Sequence, residues 1–141
     1  MPNMIEEILT SALVGYLVAH RPTVIGSSVP IHVSNRDFVR KRPCIVFEAP
    51  ESKRVPAMKH TSIVKVVVHV FSQVHDTSAD THGQIARGVE DLFENKATLK
   101  TELNSATFLL HDIILRESST SPDEENGRVT VLTYEVVVSA V

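Results

Sequence analysis

The segment that most constrains the fold runs from Thr61 to Glu94 and joins a long β-branched strand to an amphipathic helix. Side chains alternate between the two faces of a strand, so this strand has one wholly apolar face and one mixed face. The apolar face holds Val64, Val66, Val68 and Val70, and the mixed face holds Ile63, Lys65, Val67, His69 and Phe71. This pattern is typical of a sheet that carries helices on one side and faces solvent or another subunit on the other.

Two helices with apolar stripes are predicted. In the helix after the long strand, the stripe consists of Ile85, Val89, Leu92 and Phe93. Thr77 or Ser78 is placed to cap its start, and Asp80 favours its first turn. The opening helix is predicted to run from Pro2 to His20 and to end at Arg21-Pro22, because proline disfavours helical continuation.

Weaker signals locate the links between these elements. Pro30 to Ser34 and Pro43 to Glu48 are predicted to be short strands, which could pair as a hairpin. The polar segment from Ala49 to His60 is predicted to be a solvated loop or an extended arm. Asn95 to Asn104 indicates either a second, weaker helical piece or an irregular link.

The chain closes with two predicted strands around a turn. Thr107 to Arg116 favours a strand, Ser118 to Gly127 has the composition of a turn, and Val129 to Val141 is another β-branched strand. The last two strands are therefore predicted to form a hairpin. The order of elements predicts an α+β fold with a mostly antiparallel sheet of four to five strands and two helices packed on one face.

Length and charge limit the classes of protein. A chain of 141 residues with 43% hydrophobic content predicts one domain, spanning residues 1–141. Its net charge of −3 argues against a dedicated nucleic-acid-binding protein. The apolar run Ile8 to Ala19 follows two glutamates and is too short to span a bilayer, so neither a signal peptide nor a membrane span is expected, and the protein is expected to be made in the cytosol.

No catalytic or metal-binding motif is evident. The nearest cluster of candidate ligands is His69, His75, Asp76, Asp80 and His82. These residues lack the helical spacing of a zinc site, so structural or solvated histidines are favoured. Cys44 lies in an apolar strand and is predicted to be a small buried hydrophobic residue. We expect no enzyme activity, no cofactor and no metal.

The basic residues are unevenly distributed. Seven of the 14 lie between Arg36 and Lys59, where only three acidic residues oppose them, so this window carries a net charge of +4. One interpretation is two solvated loops. The other is a basic surface that meets phosphates or an acidic patch on a neighbouring copy, such as Glu117 with Asp123, Glu124 and Glu125. Contacts between unlike patches generate a ring when the rotation closes.

The layout resembles the tail terminator (tail completion) proteins of long-tailed bacteriophages. The segments that carry the resemblance are the opening helix IEEILTSALVGYLVAH, the strand PCIVFE after a basic stretch, the strand IVKVVVHVFS with its following helix, and the closing strand VTVLTYEVVV. The resemblance covers most of the chain and is one of pattern, since no diagnostic motif is present.

The resemblance implies a structural virion protein, assembled in the host cytoplasm, that forms a homo-oligomeric ring, commonly a hexamer, at the head-proximal end of the tail tube. Such a ring stops tube growth and joins the tail to head connector or neck proteins, with DNA passing through its lumen. The residues expected at contacts between subunits or with the tube protein are Arg36, Arg40, Arg42, Lys53 and Arg54, with Asp123, Glu124 and Glu125 as their acidic partners.

Three alternatives stay open. The chain could be another phage neck or connector subunit, because such proteins share related folds. It could be a small ligand- or metal-binding α+β domain, with His69, Asp76 and His82 near a pocket. A nucleic-acid-binding module would show an affinity that falls steeply with salt, and the net negative charge favours it least.

Overall fold

The structure is a computed structural model that describes residues 5–24, 31–33, 44–54, 61–73, 79–103, 108–123 and 127–140. The helices are α1 (Ile5–Val24), α2 (Ala79–Glu94) and α3 (Lys96–Leu103). The strands are β1 (Ile31–Val33), β2 (Cys44–Arg54), β3 (Thr61–Gln73), β4 (Phe108–Asp123) and β5 (Gly127–Ala140). The predicted caps Thr77 and Ser78 lie outside the described residues, whereas Asp80 lies in the first turn of α2 as predicted.

The five strands form one sheet in the order β1-β2-β3-β5-β4. All pairs are antiparallel except β1 with β2, so the predicted α+β fold with a mostly antiparallel sheet is confirmed. The predicted hairpin of the first two strands was wrong, because they run parallel, with Ile31 opposite Ile45. Residues 34–43 separate them, and ten residues can span about 33 Å. That length is sufficient to carry the chain back along a strand of three residues.

The apolar face of β3 lies at the centre of the core. Val64, Val66, Val68 and Val70 are fully buried, and the side chains opposite them on β5 are buried as well. Helix α1 packs Leu9, Leu13 and Leu17 into the same core, α2 contributes Ile85, Val89 and Phe93, and α3 contributes Leu99 and Leu103. The predicted helices therefore cover the predicted face, and the weaker helical piece is a third helix on that side.

Helix α1 continues past its predicted end. Its last residue is Val24, so Arg21-Pro22 lies within the final turn. A proline lacks the backbone N–H donor and crowds the preceding turn, and the helix ends two residues after it.

The segment predicted to be a loop after Glu48 is largely strand. Strand β2 extends to Arg54 and pairs with β3 through Arg54 opposite Ser62. Pro50 falls at a bulge between Glu48 and Glu51, where the pairing shifts register. Strand β1 pairs only with residues 45–47, so no described strand flanks this half of β2 on its other side. Bulges and edges are the positions in a sheet where proline is tolerated.

The predicted turn between the last two strands was too long. Strand β4 continues to Asp123, which lies opposite Gly127, so the closing hairpin is confirmed but only residues 124–126 separate its strands. The composition of residues 118–121 predicts a turn. These residues form strand instead, because their backbone groups pair with β5. A side-chain hydrogen bond of 2.8 Å between Thr120 Oγ1 and Thr130 Oγ1 joins the two strands in this run.

Candidate functional site

The basic and acidic residues predicted at an interface can be placed only in part. Arg36, Arg40, Arg42, Glu124 and Glu125 lie outside the described residues. Lys53 and Arg54 end strand β2, and Asp123 ends strand β4. Because β3 and β5 lie between these strands, the two positions belong to opposite sides of the sheet, about 14 Å apart across three strand spacings.

Lys53 and Asp123 also lie at different positions along the direction of the strands. Residues that pair directly from strand to strand form a row across the sheet. Lys53 lies in the same row as Ile63, Val137 and Asp112. Asp123 shares a row with Gly127 and Gln73. Ten residues of β5 separate these rows, which corresponds to about 33 Å along the strand. The structure therefore places the basic end of β2 and the acidic end of β4 at diagonally opposite corners of the sheet.

The face of the sheet away from the helices carries positive charge near β2. Lys53 and Lys65 line a groove of about 410 Å³ together with Ser52, Ile63, Arg116, Thr133, Tyr134 and Glu135. Arg116 Nε donates a 2.7 Å hydrogen bond to Glu135 Oε2. Among the described side chains, Lys53 and Lys65 have no ion-pair partner. The groove therefore keeps two lysine charges that can meet an acidic partner.

A second cavity, of about 200 Å³, lies on the helix side of the sheet beside β4. It is lined by Glu90, Phe93, Glu94, Lys96, Ile113, Ile114, Leu115 and Tyr134. The Tyr134 hydroxyl is buried and has no hydrogen-bond partner. Burial, followed by the nearby carboxylates of Glu90 and Glu94, raises the pKa of Tyr134 well above its ordinary value. We call this cavity, with its two carboxylates and its tyrosine, the β4 pocket.

The single basic group of the β4 pocket is already engaged. Lys96 Nζ donates a 2.8 Å hydrogen bond to Asp112 Oδ1. This bond, rather than burial, sets the pKa of Asp112, which is lowered. Glu90 and Glu94 have no ion-pair partner among the described residues. The pocket was not predicted from the sequence. The available signal was the pair of like charges four residues apart on α2, an arrangement that destabilises an isolated helix.

The histidine candidates do not form one cluster. His69 Nε2 lies 3.0 Å from Glu48 Oε1 on the sheet face away from the helices, and its ring stacks on Phe71. His82 is buried on the helix side, Asp80 is exposed, and His75 and Asp76 lie outside the described residues. Within the described ranges, no group of three or more His, Cys, Asp or Glu side chains is arranged to hold a metal ion.

His82 instead forms a buried polar bridge. Its Nδ1 lies 2.6 Å from Ser72 Oγ on β3, and its Nε2 lies 2.7 Å from Thr130 Oγ1 on β5. Burial, followed by the charge of Arg128, lowers the pKa of His82. A serine beside a histidine is the arrangement of an activated nucleophile. Here Ser72 is 0% exposed and His82 is 2% exposed, so no substrate reaches them and the bridge is structural.

Cys44 occupies the predicted environment. It is fully buried and packs with Val46 and Phe71, against which Val129 also packs. The prediction of a small buried hydrophobic residue is therefore confirmed.

Comparison with known proteins shows a similarity of structure rather than of sequence family. No protein-family model matches the chain, and no curated protein matches it. The fold is similar to that of a chain in the virion of a native gene transfer agent particle. The two superpose with a TM-score of 0.70 at 13% sequence identity, covering 93% of this chain and 94% of the other. At that identity the similarity establishes a shared fold over nearly the whole of both chains.

No helix among the described segments is both long enough and apolar enough to cross a membrane.

Proposed function

We propose that this protein is a structural component of a tailed, phage-like virion. The observation that carries the proposal is the match of its fold, over 93% of its length, to a virion chain of a gene transfer agent particle. A non-enzymatic role agrees with the burial of the Ser72–His82 pair, which a substrate would have to reach.

Within such a virion, we propose a tail terminator role. The protein forms a ring, commonly a hexamer in the family it resembles, at the head-proximal end of the tail tube. The ring stops tube growth and presents a surface to the head connector or neck proteins, and the DNA passes through its lumen. The sequence resemblance and the virion fold support the same class of protein through independent features.

The charge distribution over the sheet supports assembly of copies head to tail. The basic end of β2 and the acidic end of β4 belong to opposite sides of one sheet, so neither set can neutralise the other within a molecule. A contact between unlike surfaces of neighbouring copies generates a ring when the rotation from one copy to the next closes. In this proposal Arg36, Arg40, Arg42, Lys53 and Arg54 contact a neighbouring copy or the tube, and Asp123, Glu124 and Glu125 belong to the acidic side.

The charge of Lys53 is expected to strengthen ring assembly. Replacing Lys53 by glutamate should raise the dissociation constant of the ring by about tenfold or more at low salt, because like charges would then face each other across the contact. The effect should shrink as salt increases and screens these charges. Sedimentation across a concentration series measures the change.

The matched control for this prediction is Arg87→Glu, which reverses an equally exposed charge on α2. If both variants weaken assembly equally, the effect comes from net charge and the β2 end has no special role.

The terminator role is tested with the tail tube protein of the same virion. Polymerising tubes should stop growing when the protein is added, and electron micrographs should show one ring at one end of each tube. Tubes that keep growing with no ring at either end would exclude the terminator role. A ring that binds a neck or connector protein but not the tube would instead assign the chain to another position in the neck.

A further inference from the structure

The β4 pocket has the features of a binding site for a cationic side chain. Its rim carries the carboxylates of Glu90 and Glu94, and its wall includes the rings of Phe93 and Tyr134. Tyr134 is 3% exposed, yet its hydroxyl has no hydrogen-bond partner. A buried hydroxyl without a partner costs free energy, so a ligand that supplies one would be favoured. The unsatisfied hydroxyl of Tyr134 is a second observation, independent of the acidic rim, that favours a ligand in this pocket.

The size of the pocket limits that ligand. Binding sites for small molecules usually enclose about 300–1,000 Å³, whereas this cavity has a volume of about 200 Å³. It therefore suits one side chain better than a cofactor. A lysine or arginine fits its chemistry, because the aliphatic stem can pack on Ile113 and Leu115 while the charged head meets carboxylates and aromatic faces. Tyr134 Oη can accept one of the N–H groups.

The pairing register shows where such a side chain lies on a second copy. Ser52 of β2 shares a row with Val64, Val136 and Ile113, and Ile113 lines the pocket. Arg54 shares a row with Ser62, Val138 and Leu110, of which Val138 and Leu110 are buried under the helices. The end of β2 and the pocket are therefore level with each other at opposite sides of the sheet. A neighbour placed edge to edge with its strands level brings its Ser52–Arg54 segment beside the pocket.

The direction of the strands also suits this placement. Strand β2 is antiparallel to β3, β3 to β5, and β5 to β4, so β2 and β4 run in opposite directions. A second copy in the same orientation would therefore set its β2 antiparallel to β4, which continues the alternation of the sheet. By contrast, contact between β2 and Asp123 requires a displacement of about 33 Å along the strands.

We propose that the β4 pocket binds the side chain of Arg54 from the β2 end of a second copy of this chain. Lys53 lines the groove on the face of the sheet away from the helices, so the pocket on the helix side is left to Arg54. This inference rests on the proposed ring, and it identifies the β4 pocket as the surface that the basic end of β2 contacts on the neighbouring copy. The acidic end of β4 at Asp123 then lies ten residues away along the sheet, where it remains available to a tube or connector protein.

The first test reverses the charge of the pocket. The double variant Glu90→Lys, Glu94→Lys should raise the dissociation constant of the assembly at least about tenfold, because the pocket would repel the incoming cation. The control Asp91→Lys adds a lysine at an exposed position of the same helix outside the pocket lining and should leave assembly nearly unchanged. Adding Arg54→Glu to the double variant should restore assembly. Equal weakening by the control, or no restoration, would overturn the proposal.

The second test separates binding from folding. Tyr134→Phe removes only the hydroxyl, which has no partner within the molecule. It should therefore weaken assembly about 5- to 10-fold without lowering the urea midpoint of the dissociated protein. A lowered midpoint with unchanged assembly would show that the hydroxyl serves the fold instead.

Cross-linking distinguishes failure of this inference from failure of the proposed ring. Disulfides form only between Cα atoms about 4.4–6.8 Å apart. Lys53→Cys combined with Asp112→Cys should link neighbouring copies if the strands are level, whereas Lys53→Cys combined with Asp123→Cys should not. Links only in the second pair would overturn the level arrangement and keep the ring, and a monomer in which neither pair links would overturn both.

Discussion

Replacing Phe93 by alanine is expected to destabilise the folded protein by about 3–5 kcal/mol. Phe93 is 1% exposed and lies at the centre of the core. Its ring makes edge-to-face contacts with Phe47 and Tyr134, at centroid distances of 6.1 and 5.2 Å. The substitution removes the transfer free energy of the ring and leaves a cavity between α2, β2 and β5. Urea unfolding followed by circular dichroism measures the change in the free energy of unfolding.

The control for this prediction is Leu92→Ala on the same helix. Leu92 is only partly buried, so its loss should cost clearly less than that of Phe93. Domains are commonly stable by about 5–15 kcal/mol, so the Phe93 variant is expected to be close to unfolding. A cost of less than 1 kcal/mol would contradict the central position of Phe93 in the core.

The second large effect is expected at His82. Replacing His82 by alanine should lower the free energy of unfolding by about 2–4 kcal/mol, because the hydroxyls of Ser72 and Thr130 each lose a buried hydrogen bond and a cavity forms. Gln84→Ala is the control, since Gln84 is exposed on the same helix and makes only a 3.4 Å contact with Asp80. Equal effects of the two variants would contradict the role of the bridge.

The same residue should give stability a defined pH dependence. Burial lowers the pKa of His82 in the folded protein, whereas in the unfolded chain it titrates near 6.5. As the pH falls below about 6.5, the unfolded chain binds a proton that the folded protein does not, so the free energy of unfolding decreases. This decrease ends once the pH falls below the lowered pKa of the folded state. His82→Ala should remove this part of the slope, and an unchanged slope would contradict the assignment.

The fold could be predicted from the sequence for elements that have one apolar face, because that face must be buried. The alternating valines of β3 and the stripe of α2 each have one face that must be buried, and that requirement fixes their orientation. The sequence also identified Cys44 as a buried residue, because its neighbours are all apolar. Local pattern sufficed in these cases since the hydrophobic effect acts on each element separately.

The missed features depend on partners distant in sequence. Pro50 and Pro122 suggest loop or turn locally, but both are accommodated in strands, one at a bulge and one near the end of an edge strand. Strand partners, rather than local propensity, decide such segments. The β4 pocket could not be predicted for the same reason, because Glu90, Tyr134 and Ile113 meet only when α2 packs over β4 and β5.

The assignment of charged surfaces depends on register. Lys53 was paired with Asp123 by charge alone, because strand register, and so the position of each residue along the strands, could not be read from the sequence. The structure gives the position of each residue along the strands. It shows that Asp112, rather than Asp123, lies in the row of Lys53 at the other side of the sheet. Whether neighbouring copies meet level or displaced is therefore a structural question that the cross-linking pairs answer.

The central claim is that copies of this chain assemble head to tail into a closed ring. The mass of the purified protein in solution, measured by light scattering over a range of concentration and salt, tests it most directly. We predict one discrete mass of several subunits at low salt, six in the favoured case, which does not grow with concentration and falls toward the monomer as salt rises. A monomer at every concentration and salt, or a mass that grows without limit, would contradict the closed ring.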